Sequence, residues 1–196
     1  VYTGSIYRDQ GLLKHGFPGE SVHNSTVIAI KTHEYGPETR RKYARAVLLV
    51  RNPFDTLLAE FNRQFGGHIG YAGPERFQQD NEKGWNRYVA VSSETWLTFH
   101  LDWLKFDGDL HILYYANLKN NLLAEVQNLA RFLGHTMAPQ IAACTARNSR
   151  GRFKREKYQL PFLPFTEQMI ADIDRKKALV EEGIRKHMNA SATVVL

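Results

Sequence analysis

Lys31 and His33 stand two residues apart, and a second polar cluster, Arg51-Asn52-Pro53-Phe54-Asp55, follows later in the chain. An imidazole titrates near neutrality, so it can accept a hydroxyl's proton while that hydroxyl attacks. Residues two apart in an extended segment share a face, which would set Lys31 beside His33 to steady the oxygens of an anionic group. A guanidinium next to a helix N-terminus is a phosphate or sulfate site. The parts suit chemistry that holds an anionic donor and deprotonates an acceptor. A structural, hydrogen-bonded histidine at a strand end is the alternative for His33.

The elements that must position these groups can be read from pattern. Val27-Ile28-Ala29-Ile30 and Val47-Leu48-Leu49-Val50 are short apolar runs without alternation, which predicts strands buried on both faces of a parallel sheet. In such sheets ligands bind beyond the carboxyl ends of the strands, where Lys31-Thr32-His33 and Arg51 fall. Asn52 is a predicted helix cap, Pro53 suits the first helical position, and Asp55 suits the first-turn dipole. A third strand is predicted over 109–115. Behind it Asn117 is read as the cap of a helix whose face is Leu118, Leu122, Val126, Leu129 and Leu133, closed by Gly134.

The remaining segments read more simply. Residues 1–25 suggest loop with a short helix, and 64–77, QFGGHIGYAGPERF, a glycine-dense loop with Phe65 and Tyr71 in the core. Arg40, Arg41 and Lys42 are taken as a solvated face. Val89, Trp96, Phe99 and Trp103 form a helical core stripe within 85–106. A helix over 139–146 precedes the most basic stretch, Arg147 to Lys157, and Thr166 caps a long helix over 167–187.

With 196 residues a single domain, 1–196, is expected. The excess of 26 Lys and Arg over 20 Asp and Glu, formally +6, favours an anionic ligand. Cys144 is the only cysteine, which excludes an internal disulfide framework and a cysteine metal site. The eight histidines show no ligand spacing with nearby acids, so no metal is expected. Asn24-Ser25-Thr26 and Asn189-Ala190-Ser191 are glycosylation sequons. No apolar run reaches membrane-spanning length. No Walker-type phosphate loop or aromatic stacking platform is legible, which disfavours a nucleotide kinase-like or nucleic-acid-binding protein.

Lys31-Thr32-His33 and Arg51-Asn52-Pro53-Phe54-Asp55 resemble the paired motifs of sulfotransferases that use 3′-phosphoadenosine 5′-phosphosulfate (PAPS). Ala59-Glu60-Phe61-Asn62-Arg63 with 66–72, GGHIGYA, resembles the WSC domain-containing branch, Golgi enzymes that sulfate sialic acid on glycans. The resemblance implies a P-loop NTPase-like α/β fold, three-layer α/β/α with a mainly parallel sheet, here lacking the N-terminal strand and phosphosulfate loop. It implies His33 as general base, Lys31 near the transferred group, and Arg51 on the 3′-phosphate. Where the family has a serine in the following helix this chain has Ala59, and Asn62 is the candidate substitute.

Tyr115 matches the tyrosine that approaches adenine, with Ala116 replacing the family's acid. Arg150-Gly151, with Arg152, match the basic loop over the 3′-phosphate, and Ser149 stands at its first position. The implied co-substrate is PAPS, the acceptor a glycan or glycoprotein, and the compartment the Golgi lumen, with any membrane anchor outside these residues. No metal and no nucleic-acid partner are implied. The 196 residues alone are expected not to turn over PAPS. The alternative is an inactive relative that binds nucleotide or anionic glycan through its basic loop.

Overall fold

A computed structural model describes residues 3–78, 84–149, 154–155 and 159–193. The chain divides into two compact units, Val1–Thr39 and Arg40–Leu196.

The first unit contains β1 (Gly4–Ser5), α1 (Gln10–Lys14) and β2 (Ile30–Lys31), with α2 (Pro37–Arg40) at the division. Strand β1, where the sequence suggested loop, runs parallel to β2 with Gly4 opposite Ile30 and Ser5 opposite Lys31. Gly4 N–H donates to Ala29 O at 2.7 Å, and Ser5 N–H lies 2.9 Å from both Gly19 O and Val22 O. Asp9 caps α1 by accepting from Leu12 N–H, while Glu20 accepts from Asp9 N–H.

The expected strand over Val27–Ile30 is cut to its last residue plus Lys31, and none of Val27, Ile28, Ala29 and Ile30 is fully buried. Just ahead of it Asn24 Oδ1 accepts from both the N–H and the hydroxyl of Thr26, at 3.1 and 2.6 Å, a local turn of the kind that competes with extended pairing.

The backbone of this unit closes too tightly for a side chain at Gly4, where a Cβ would lie 2.1 Å from Val22 O. The neighbour is main chain and cannot swing aside. Gly4→Ala should therefore destabilise the unit by about 1–3 kcal/mol, the usual range for overpacking, read as faster amide exchange at Ser5 and Ile6. Wild-type exchange in that variant would show that the backbone yields without cost.

The second unit holds β3 (Arg45–Val50), α3 (Pro53–Gly66), α4 (Pro74–Phe77), α5 (Trp85–Trp103), β4 (Asp109–Tyr114), α6 (Tyr115–Asn120), α7 (Leu122–Phe132), α8 (Pro139–Arg147) and α9 (Glu167–Thr193). Strands β3 and β4 are parallel and in register from Arg45 opposite Asp109 to Val50 opposite Tyr114. Burial along β3 alternates. Leu48 and Val50 pack with Trp96, Leu97, Trp103, Val180 and Ile184, whereas Val47 and Leu49 are 37% and 49% exposed. One face of β3 is thus in the core, not both.

A second cluster joins α3, α4, α5 and α9 through Leu57, Phe61, Phe77, Trp85, Val89 and Ile173. Phe61 is 0% exposed, and its ring centre lies 4.7–5.0 Å from those of Phe65, Phe77, Trp85 and Tyr88. Tyr88 donates to Leu57 O, and burial pushes its phenol up to about 12. Helices α5 and α9 are also pinned by Lys176, only 4% exposed, whose Nζ donates to Ser93 Oγ at 2.9 Å and meets Asp172 at 2.7 Å. Bonds from Lys176 and then Arg175 hold the Asp172 carboxyl below its usual range.

Several local expectations change. Arg40 is not part of a solvated face: its guanidinium pairs with Asp102 of α5, both largely covered. Helix begins at Tyr115 directly after the strand, so Asn117 lies inside α6 and does not cap; the chain breaks at Asn121 before α7. Only 67–73 remains loop in the glycine-dense segment, because α3 continues to Gly66 and Pro74 starts α4. Gly134 ends α7 at φ 79°, and Thr166 accepts from Met169 N–H at the start of α9, as their residue types indicate.

His100 of α5 is buried between Trp96 and Phe99, with Nδ1 2.7 Å from Trp96 O and Nε2 buried with no partner of hydrogen-bonding geometry among the described residues. Burial lowers its pKa, and the backbone groups of Trp96 and Leu49 only partly offset this. The folded state therefore keeps it neutral while the unfolded chain takes a proton. Its contribution is fully present above the ordinary histidine value of 6.5 and is lost as pH falls below that toward the folded value. Over that window stability should drop by up to about 1.4 kcal/mol per pH unit. Thermal melts from pH 7.5 to 5 should show it, and His100→Gln should flatten the slope; an unchanged slope would assign it elsewhere.

Candidate functional site

At the carboxyl end of the β3–β4 pair, the register that sets Val50 against Tyr114 brings the next residues, Arg51 and Tyr115, side by side. The Arg51 guanidinium carbon lies 4.8 Å from the centre of the Tyr115 ring. A cation over an aromatic face is attracted by the ring quadrupole and keeps its N–H edge available. Arg51 Nε is buried and has no hydrogen-bond partner among the described residues. Such a donor costs about 1–3 kcal/mol until something accepts from it.

Helix α3 starts beside this guanidinium for reasons written in two residues, Asn52 and Pro53. Asn52 Oδ1 accepts from Phe54 N–H at 2.9 Å, Pro53 occupies the first turn, and the Asn52 carbonyl accepts from Thr56 N–H at 3.0 Å. The amide end of a 14-residue helix and a guanidinium thus lie next to each other, and both favour an anion.

Further along α3, Ala59 is half-buried and offers no hydroxyl. Asn62 has a structural place: it is buried, and its Oδ1 accepts from Ala72 N–H at 2.9 Å, closing the 67–73 loop onto the helix. Arg155 closes the same loop from outside, donating from Nε to Gly70 O at 2.8 Å and from Nη2 to Gly67 O at 2.9 Å. One guanidinium of the basic stretch is therefore spent on backbone carbonyls. Arg150, Gly151 and Arg152 lie outside the described residues.

In the first unit Lys31 and His33 are both exposed, and the side chain they have in common is Tyr7, which no sequence signal marked. His33 N–H donates to Tyr7 Oη at 2.8 Å, the two rings are 5.5 Å apart, and Lys31 Nζ is 6.0 Å from the Tyr7 ring centre. The β1–β2 register explains the meeting. Continued two residues past Ser5 and Lys31, it sets Tyr7 against His33. Lys31 and His33 are thus grouped around one ring in the first unit, and Arg51 and Tyr115 are paired in the second. Among the described residues no group of three His, Cys, Asp or Glu side chains could hold a metal.

Residues 22–186 match the Sulfotransferase domain. A WSCD family member of Aedes aegypti is 39% identical over 181 residues, covering 92% of this chain and 57% of its own length. A WSCD family member of Drosophila melanogaster gives the same identity and coverage. The chain spans a little over half the length of these curated relatives. In fold it is similar to the crystal structure of mouse sulfotransferase SULT7A1 complexed with PAP, with a TM-score of 0.53 at 13% identity over 98% of this chain and 80% of that one. From the domain match and the identity to its relatives, this chain belongs to the sulfotransferase domain family.

Proposed function

We propose that this chain carries acceptor-activating and 3′-phosphate-binding residues of an enzyme that transfers a sulfuryl group from PAPS to a hydroxyl of a glycan, with sialic acid the favoured acceptor, in the Golgi lumen. The observation that supports the donor most is the Arg51 guanidinium, held over Tyr115 beside the start of α3 with a buried N–H that has no partner among the described residues. That arrangement suits a phosphate next to an aromatic base. The structural neighbour was crystallised with PAP, the product such a donor leaves behind.

In this reading Arg51 donates N–H bonds to the 3′-phosphate oxygens, and Tyr115 borders the adenine. His33 takes the acceptor's proton as its oxygen attacks sulfur. Lys31 steadies the sulfonate oxygens while the bond from sulfur to the bridging phosphate oxygen breaks, and the electron pair leaves with PAP. Positioning and charge stabilisation carry most of the rate in transfers of this kind. Arg150, Gly151 and Arg152 remain proposed phosphate contacts by resemblance. Ala59 removes one hydroxyl from the donor site, which places more of the phosphate's binding on Arg51.

The test is transfer of radiolabelled sulfate, by the full-length protein, from PAPS to a sialylated glycoprotein and to the same glycoprotein after sialidase. Label that depends on the protein and falls at least tenfold after sialidase supports the reading. Equal labelling would move the acceptor to another sugar, and no labelling of any glycan would remove the transfer itself.

A further inference from the structure

We infer that Tyr7 is the positioning residue of the reactive strand end, holding His33 and Lys31 to one face; this rests on the sulfuryl-transfer reading above. His33 and Lys31 are exposed, Lys31 as the last residue of the two-residue β2 and His33 two positions further on. Tyr7 reaches both. Its hydroxyl accepts from the His33 backbone N–H at 2.8 Å, which fixes the main chain from which the imidazole projects. Its ring then meets the imidazole, 5.5 Å between centres and tilted by 31°, and the Lys31 ammonium 6.0 Å from the ring centre.

Tyr7 is itself fixed. Its carbonyl accepts from Ser21 N–H at 2.7 Å, its own N–H donates to Ser5 Oγ at 3.1 Å, and Ile6 N–H donates to Lys31 O at 3.4 Å. A chain tied at residues 5, 6 and 7 thus delivers a rigid aromatic with one polar tip to the end of β2. Acid–base catalysis depends on such placement, since a misplacement of about 1 Å can cost 10²-fold. Neither contact uses an imidazole nitrogen, so Tyr7 acts through His33 and leaves its proton chemistry to the acceptor.

Three variants separate the contacts. Tyr7→Phe keeps the ring and removes the acceptor, Tyr7→Leu removes both, and Tyr7→Trp restores a ring without the hydroxyl geometry. Native-state exchange of the His33 amide should speed up about 3- to 10-fold in Tyr7→Phe, as expected for one ordinary hydrogen bond, with the melting temperature unchanged. In sulfuryl transfer the same variant should lose about 3- to 10-fold in kcat with KM for PAPS within twofold. Tyr7→Leu should lose about 30-fold or more, and Tyr7→Trp less than Tyr7→Leu.

Wild-type protein that transfers sulfate while Tyr7→Phe keeps its kcat overturns the inference and leaves the function standing. So does a KM increase with kcat intact, because it would make Tyr7 a donor-binding group. Wild-type protein that transfers no sulfate, with His33 exchange still slowed by Tyr7, overturns the functional reading and the positioning role with it.

Discussion

Replacing His33 with asparagine should lower kcat for sulfuryl transfer by about 10²–10⁴, the range general-base catalysis supplies, with KM for PAPS within a few-fold. Asparagine keeps a polar side chain of similar reach but cannot take a proton. The bond from the residue 33 amide to Tyr7 is made by main chain and survives the change, so the strand end stays in place. Loss of rate without loss of structure is therefore the expected signature. Steady-state kinetics with exchange at residue 33 measured on the same sample would read both. A variant with more than a tenth of wild-type kcat would return His33 to a structural role and require a different base.

The second large effect concerns Arg51. Arg51→Ala should weaken PAP binding by about 2–5 kcal/mol, some 30-fold to several thousandfold, because the phosphate would lose a charge-assisted partner in a partly buried place. Arg51→Lys should recover little, since an ammonium has no planar fork and stacks less well on Tyr115. Stability should change little. Alanine removes the Tyr115 ring contact together with a buried N–H that has no partner among the described residues, so the loss and the gain oppose each other. Unaltered melting with abolished nucleotide binding distinguishes a binding arginine from a packing one, and calorimetry with melting curves decides between them.

What the sequence revealed follows from the range of the forces involved. The start of α3 was legible because a cap, a proline and the end of an apolar run act within a few residues, and Asn52, Pro53 and Arg51 stand where those rules put them. The helix over 85–103 was legible from its apolar stripe for the same reason. Tyr7 was not, because its role depends on pairing between two strands of two residues each, distant in sequence.

Arg155 and Asn62 show a different limit. A guanidinium in a basic run looks the same whether it will bind a phosphate or two carbonyls, and an asparagine on a helix looks the same whether it faces a ligand or a loop. Tertiary contact decides each. Arg40 makes the point again: in sequence it joins Arg41 and Lys42, while in the fold it pairs with Asp102. An apolar run also cannot say how many of its faces will be covered, and β3 buries one.

The most direct measurement compares two nucleotides that differ by one phosphate. Titrated into this protein, PAP should bind saturably, and adenosine 5′-phosphate should bind at least about 30-fold more weakly. Arg51→Ala should erase that difference while leaving the weak binding of adenosine 5′-phosphate as it was. Equal affinity for both nucleotides, or a preference for PAP that survives Arg51→Ala, would contradict a 3′-phosphate site at the end of β3.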